Sequence, residues 1–387
     1  MSPRSPHEPL YLDRPEAVAD FMATLGRPAL IAVDTEGASF HRFVDRIYLL
    51  QLSTRERTAV IDPLPIGTPE PLGRLLEDRA VEKVFHDADY DLRLLQQDYG
   101  WQVRNIFDTR IAAQLLGIRA FGLAALLERY FGLTLDKKYQ RADWSQRPLT
   151  RGMLDYAAED TMHLPELRDR MGADLQRKGR WAWAAEEFAR LEGTRWEPED
   201  GTTAFLRLKG ARDLNRRELA VLRELVRWRD DVARAADKAT FRIVSNDVLL
   251  EAARVKPPEV GRLGGIKGMP RGLYEARRAE IEAAIDRGHA VADAELPRFP
   301  KALRWDKDPD FDARVAALRA ARDDAAERLD LDPGVLCSRD RIEAIARKRP
   351  QRVAELTESG ELRRWQAAEL GEAFVEALAE GSPYKES

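Results

Sequence analysis

The C-terminal half of the chain repeats itself. Arg229-Asp-Asp-Val-Ala-Arg returns as Arg322-Asp-Asp-Ala-Ala-Glu, and Ser245-Asn-Asp returns as Ser338-Arg-Asp. Ala253-Arg-Val-Lys-Pro returns as Ala346-Arg-Lys-Arg-Pro, and Leu263 as Leu356. Every pair keeps the same offset of 93 positions. One register held across separate segments marks a duplicated folding unit. Almost everything beyond residue 210 reads as helix, so two copies of one small helical domain must follow the first half. The expected boundaries are a first domain over 1–195, a linker over 196–211, a helical domain over 212–291 and a more divergent copy over 305–387. With 387 residues, the first domain is long enough for a complete core.

That first domain reads as α/β. Ala-Leu-Ile-Ala-Val at 29–33 is a wholly apolar run that stops at Asp34, and its length suits a buried strand. Segments 47–52, 58–61 and 83–85 read as further strands, and 106–107 leads into Asp108. Helical patterns follow from Leu92, from Thr109, over 122–130 and over about 151–175. Strands early and helices late predict a mixed sheet. The segment 177–210, with Trp181, Trp183 and Trp196 among charges, reads as connector.

Composition narrows the partners. The formal net charge is −4, so any nucleic-acid surface must be a local basic patch. One cysteine, Cys337, excludes an intrachain disulfide and a cysteine metal cage. The N-terminus has no apolar signal core, and no run is long enough to span a membrane, which predicts a cytoplasmic protein. A helicase is excluded by the lack of a Gly-x-x-x-x-Gly-Lys-Ser/Thr loop.

The chemistry resides in acids. Asp34 and Glu36 are two apart, so an extended segment turns both carboxylates to one face. Converging carboxylates repel unless a cation lies between them, and hard divalent ions prefer oxygen ligands. Asp91 opens a helix after a strand, with Asp87 and Asp89 competing for its role. Tyr156 and Asp160 share a helix face four residues apart.

In this order the elements resemble the DEDD exonuclease superfamily, and the tyrosine places them in its DEDDy branch. Val33-Asp-Thr-Glu, Phe85-His-Asp-Ala-Asp-Tyr-Asp-Leu, Phe107-Asp-Thr-Arg-Ile-Ala-Ala, Ala142-Asp-Trp-Ser-Gln-Arg-Pro-Leu-Thr and Asp155-Tyr-Ala-Ala-Glu-Asp resemble the ribonuclease D family in particular. The helical copies resemble the HRDC domain, a nucleic-acid-binding module shared with RecQ-type helicases. Leu225-Val-Arg-Trp-Arg-Asp carries that likeness, while Ala321 stands where the second copy would need its tryptophan.

The resemblance implies a ribonuclease H-like α/β fold and a 3′–5′ exoribonuclease that releases 5′-mononucleotides. Its implied cofactors are two divalent ions, Mg²⁺ or Mn²⁺, held by Asp34, Glu36, Asp91 and Asp160, with Tyr156 orienting the attacking water. The implied partner is RNA with a free 3′ end, tRNA precursors foremost. DNA is the alternative, because no residue senses the 2′-hydroxyl, and a silent binding scaffold is the third reading.

The remaining polar residues divide between structure and contact. His86 reads as structural, Asp108 as a helix cap, and Asp143 as a partner for a nearby arginine. Trp144 suits equally a core position or a stacking surface for a terminal base. Lys137, Lys138, Arg141, Arg147 and Arg151 crowd one loop. Arg254, Lys256, Arg262, Lys267 and Arg271 crowd a Gly-rich stretch of the first repeat. Of these, Lys137, Lys138, Arg141, Trp144, Arg254, Lys256 and Lys267 are the expected nucleic-acid contacts. A fragment ending near Gly193 is expected to retain hydrolysis on short single strands, provided the connector is not needed for folding, and to bind structured or longer RNA more weakly with a shallower salt dependence.

Overall fold

The computed structural model describes residues 8–136, 138–198, 200–300 and 308–380. The first unit is built on six strands: β1 (Leu10–Leu12), β2 (Leu30–Glu36), β3 (Leu49–Ser53), β4 (Thr58–Ile61), β5 (Glu82–Phe85) and β6 (Ile106–Asp108). They lie in the order β1-β4-β3-β2-β5-β6. The β2–β3 and β3–β4 pairs are antiparallel, and β1–β4, β2–β5 and β5–β6 are parallel. The mixed sheet is therefore as the sequence predicts, with β1 added.

Nine helices surround it among the described residues: α1 (Pro15–Leu25), α2 (Pro63–Ile66), α3 (Glu70–Glu77), α4 (Asp89–Tyr99), α5 (Thr109–Leu115), α6 (Leu123–Phe131), α7 (Arg151–Met162), α8 (Leu164–Arg177) and α9 (Trp181–Leu191). Ile31 and Val33 of β2 point into a core with Phe21, Leu72, Leu92 and Leu95, which belong to α1, α3 and α4. Ala32 points the other way, into a core with Leu164, Leu167 and Met171 of α8. Both faces of β2 are buried, which is why its sequence is uniformly apolar up to Asp34.

The predicted helix over 151–175 is broken at His163. Pro165 at the start of α8 has no N–H to continue the ladder of α7. The segment read as connector contains α9 instead. Its residues Ala184 and Phe188 are buried, and Phe188 meets Phe107 of β6 with ring centroids 4.7 Å apart. Trp181 and Trp183, which look out of place among charges, lie on the apolar side of this amphipathic helix, whereas Trp196 lies beyond it and is exposed.

The first helical repeat comprises α10 (Arg216–Ala235), α11 (Thr240–Ile243), α12 (Asn246–Ala253) and α13 (Arg271–Ala290). The second comprises α14 (Phe311–Leu329), α15 (Pro333–Leu336), α16 (Arg339–Lys348), α17 (Val353–Glu358) and α18 (Arg364–Glu380). Helices α11, α12 and α13 begin 93 positions before α15, α16 and α18. Leu263 and Leu356, equivalent in the repeat, are both buried. The first repeat has its own core, against which Phe43 of the α/β unit packs. The second shares one core with α5, α8 and α9. Among the described residues no helix is long and apolar enough to cross a membrane.

Candidate active site

Strand β2 ends in Asp34-Thr35-Glu36. Alternation sends Asp34 and Glu36 to one face of the sheet and Thr35 to the other. Helix α7 covers the first face, capped by Thr150, whose hydroxyl accepts from the Met153 N–H at 3.3 Å. One carboxylate oxygen from each of Asp34, Glu36 and Asp160 lies within 4.8 Å of the others. These three side chains stay partly open to a cavity of about 460 Å³ that Tyr156, His86, Gln140 and Glu159 also line.

Asp91 is buried in the first turn of α4. Its Oδ1 accepts from the Thr35 N–H at 3.1 Å and from Thr35 Oγ1 at 2.5 Å. The competing acids point elsewhere. Asp87 pairs with Arg110, and Asp89 pairs with Arg93 at 2.8 Å. Asp91 is thus the acid of this loop that is tied to the Asp34–Glu36 segment.

Burial and mutual repulsion push the whole cluster upward in pKa. Asp34 is raised by burial and then by Asp160. Glu36 is raised by burial and then by Asp34 and Asp160. Asp91 is raised by burial and then by Asp34. Asp160 reaches about 7 through burial, with Glu159 and Asp91 adding to it. No lysine or arginine is among the described residues that line the cavity. His86 offers no charge either, because burial lowers it to about 4. A donor set made only of crowded carboxylate oxygens, without an internal counter-charge, fits divalent cations of the Mg²⁺ and Mn²⁺ class.

Tyr156 stands between Tyr139, at a centroid distance of 6.0 Å and an angle of 66°, and Trp144, at 6.1 Å and 30°. Burial, and then the charge of Asp160, raises its phenol above the ordinary range, so the hydroxyl keeps its proton. Trp144 needs correction as a contact to nucleic acid. It is 1% exposed and supports Tyr156 from beneath, so neither face of its ring is free for a base. Its indole Nε1 has no partner among the described residues.

The basic set is only partly available. Lys137 lies outside the described residues. Lys138 and Arg141 are exposed, with the Arg141 guanidinium 5.5 Å from the Phe40 ring centre. Arg147 is not a phosphate ligand here. It grips Asp62 with two bonds, of 2.5 and 2.7 Å, and donates to the Tyr48 carbonyl at 2.9 Å. Arg151 pairs with Glu8 and Asp155. In the first repeat Arg254 pairs with Glu251 at 2.5 Å and Arg262 with Glu259 at 3.3 Å. Lys256 and Lys267 flank the short 3₁₀ segment Pro257–Gly265 and are exposed. Asp143 finds no arginine among the described residues. It accepts from Ser145 and Gln146 and lies 3.7 Å from His41. Asp108 caps α5 as expected and also accepts from the Ala88 N–H at 2.7 Å. His86 bonds Thr109 at 2.9 Å.

Two residues escaped the sequence reading. Thr35 was legible in principle, since it separates the two acids. Gln51 sits directly opposite Asp34 in the β2–β3 register, is fully buried, and has no partner for either amide atom among the described residues. A lone amide within Leu-Leu-Gln-Leu was its only signal.

Comparison with known proteins agrees with this geometry. Residues 10–176 match the 3′-5′ exonuclease family model, and residues 218–285 and 311–378 match the HRDC domain. Ribonuclease D of Granulibacter bethesdensis is 31% identical over 352 residues, covering 90% of this chain and 89% of that protein. The chain belongs to the ribonuclease D family. Ribonuclease D of Nitrobacter hamburgensis is 30% identical over 94% of this chain and 93% of its own length. The crystal structure of Escherichia coli RNase D, described as an exoribonuclease involved in structured RNA processing, aligns with a TM-score of 0.74 at 26% identity. It covers 96% of this chain and 99% of that one. As a ribonuclease D family member with the acidic cluster in place, the chain is a metal-dependent 3′–5′ exoribonuclease.

Proposed function

We propose that Asp34, Glu36, Asp91 and Asp160 hold two divalent ions, and that the chain trims the 3′ ends of tRNA precursors and other stable RNAs to 5′-mononucleotides. The observation that carries this reading is the meeting of three carboxylates from β2 and α7 within 4.8 Å at the floor of an open cavity. Bound divalent ions would supply charge neutralisation at the phosphate and acidify a water at neutral pH.

The chain's own residues do the rest. Asp34, raised by Asp160 and itself raising Glu36 and Asp91, would hold the ions together with Glu36 and Asp160. Thr35 holds Asp91 through two donors to one oxygen, which fixes this carboxylate against the Asp34–Glu36 segment. Tyr156 keeps its proton and orients water by hydrogen bonding rather than by removing a proton. Lys138 and Arg141 sit on the loop beside the cavity-lining Gln140 and offer charge to the phosphates of the entering strand.

The test is a time course on 3′-labelled and 5′-labelled RNA and DNA with Mg²⁺, Mn²⁺ or EDTA, comparing wild type with Asp34→Asn. Stepwise mononucleotide release that stops in EDTA and falls in Asp34→Asn by more than the roughly 10–100-fold typical of outer-shell losses supports the assignment. Wild-type rates in a folded Asp34→Asn chain remove it. Internal cuts on a circular strand remove the 3′ polarity.

A further inference from the structure

The rim of the active site carries an exposed aromatic pair that the chemistry above does not use. Phe40 is 48% exposed and Phe241 is 53% exposed. Their rings meet edge to face, with centroids 6.3 Å apart and an angle of 77°. Among the described residues they are the only strongly exposed aromatic rings in contact with each other. Phe40 comes from the loop after β2, and Phe241 comes from α11 of the first repeat, 201 positions later in the chain.

The pair is close to the site along two paths. Phe40 follows the ligand candidate Glu36 by four residues, so their Cα atoms are at most about 14 Å apart. Arg141, whose guanidinium covers one side of Phe40, follows Gln140, which lines the catalytic cavity. Gly37 keeps the loop tight against the protein. A Cβ there would collide with the Tyr90 hydroxyl and the Asp45 carboxylate.

The rings are not needed to join the two units. Polar contacts already do that: the Ala239 N–H donates to the His41 carbonyl at 3.2 Å, Arg42 pairs with Asp237 at 3.2 Å, and Arg242 bonds both the Phe40 carbonyl and His41. Two phenylalanines left half-exposed in water cost hydrophobic free energy unless something covers them. The surroundings choose the occupant. Arg141 and Arg242 have no carboxylate partner among the described residues, while Asp237 and Asp45 are taken by Arg42 and Tyr90. Guanidinium groups without a carboxylate partner beside half-exposed aromatic rings match a strand of alternating phosphates and bases.

We propose that Phe40 and Phe241 form a platform, shared by the catalytic unit and the first repeat, on which a base of single-stranded RNA stacks upstream of its 3′ end. The first repeat then takes part in substrate binding through this ring as well as through its exposed lysines. Stacking reads no base identity, so the platform grips any sequence as the strand advances.

The test is fluorescence anisotropy of a short mixed-sequence RNA single strand in EDTA, where binding is read without cleavage and independently of the ion assignment. A set of strands with one abasic position moved stepwise from the 3′ end locates the stacked base. The variant is Phe40→Leu with Phe241→Leu, which keeps apolar contact between the units but removes both π faces. The expected result is a Kd raised by about 5- to 150-fold, the range for loss of one stacked base. One abasic position should weaken binding to wild type and cost nothing further in the double-leucine variant. An unchanged Kd, or the same abasic penalty in both proteins, overturns the proposal. A second variant, Phe40→Ala with Phe241→Ala, removes the packing as well; a defect seen in it but not in the double-leucine variant also overturns the proposal, because the rings would then act as packing between the units.

Discussion

Thr35 spends both of its donors on one oxygen of Asp91. The backbone N–H reaches Asp91 Oδ1 at 3.1 Å and the hydroxyl reaches it at 2.5 Å. The residue between two acids on one face of β2 thereby fixes a third acid that arrives from α4. Thr35→Val keeps the shape and the backbone donor and deletes the hydroxyl. Activity should fall by about 10–100-fold, as for other partners that orient a ligand, with Mg²⁺ affinity reduced alongside it. Titration of activity against Mg²⁺ checks this, and an unaltered half-saturation would mean that Asp91 does not depend on Thr35.

Tyr156 should act through its hydroxyl and not through charge. Tyr156→Phe retains the ring between Tyr139 and Trp144 and adds no cavity. We expect kcat to fall by about 10²–10⁴-fold, the usual weight of a positioned proton-handling group, with metal affinity close to wild type. Calorimetric Mg²⁺ titration distinguishes the two effects. A loss of affinity as large as that of Asp160→Asn would assign Tyr156 to metal binding.

Asp62 is the acid-sensitive anchor of the 138–148 loop. Burial alone would raise its pKa, but hydrogen bonds from Arg147 and Tyr11 outweigh burial and hold it below the ordinary carboxylate range. A folded pKa below the unfolded value means that this stabilisation is complete above about pH 4 and is lost as pH falls through the folded pKa. Asp62→Asn should therefore lower the melting temperature at neutral pH and flatten the acid limb of the stability curve. Breaking a largely buried pair costs about 3–5 kcal/mol, at the lower end here because Arg147 keeps 23% of its side chain exposed. Activity should fall too, since Arg147 also holds the Trp144 carbonyl at 2.7 Å and so the support under Tyr156. Equal acid limbs in both proteins would show that Asp62 is not the titrating group.

The second repeat should be indispensable to the stability of the catalytic unit. Trp365 stacks on Trp183 at 4.9 Å and donates to Glu187 at 2.8 Å, and Arg363 pairs with Glu187 at 2.7 Å. The expectation of an autonomous fragment ending near Gly193 therefore changes. Such a fragment bares the apolar surface of α5, α8 and α9 and should be much less stable, with activity limited by folding. Trp365→Ala should cost about 3–5 kcal/mol in urea unfolding of the full chain. A variant within 1 kcal/mol of wild type would mean that this interface is dispensable.

What the sequence by itself determined was whatever repeats or alternates over a few residues. The apolar run before Asp34, the two-residue step from Asp34 to Glu36, the four-residue step from Tyr156 to Asp160 and the 93-residue repeat all follow from short-range periodicity, which side-chain direction reads directly. The acids proposed to hold the ions were visible because each sits at a fixed local offset from a recognisable element. The tertiary structure decided what depends on partners distant in the chain. It selected Asp91 over Asp87 and Asp89 through Thr35, 56 positions away. It turned Arg147 from a phosphate candidate into the clamp on Asp62, 85 positions away. It placed Gln51 opposite Asp34, buried Trp144 under Tyr156, and brought Phe241 to Phe40. A charged or aromatic side chain has the same local signature whether it faces water, an ion pair or a ligand. Only the packing of remote segments determines which of these it meets.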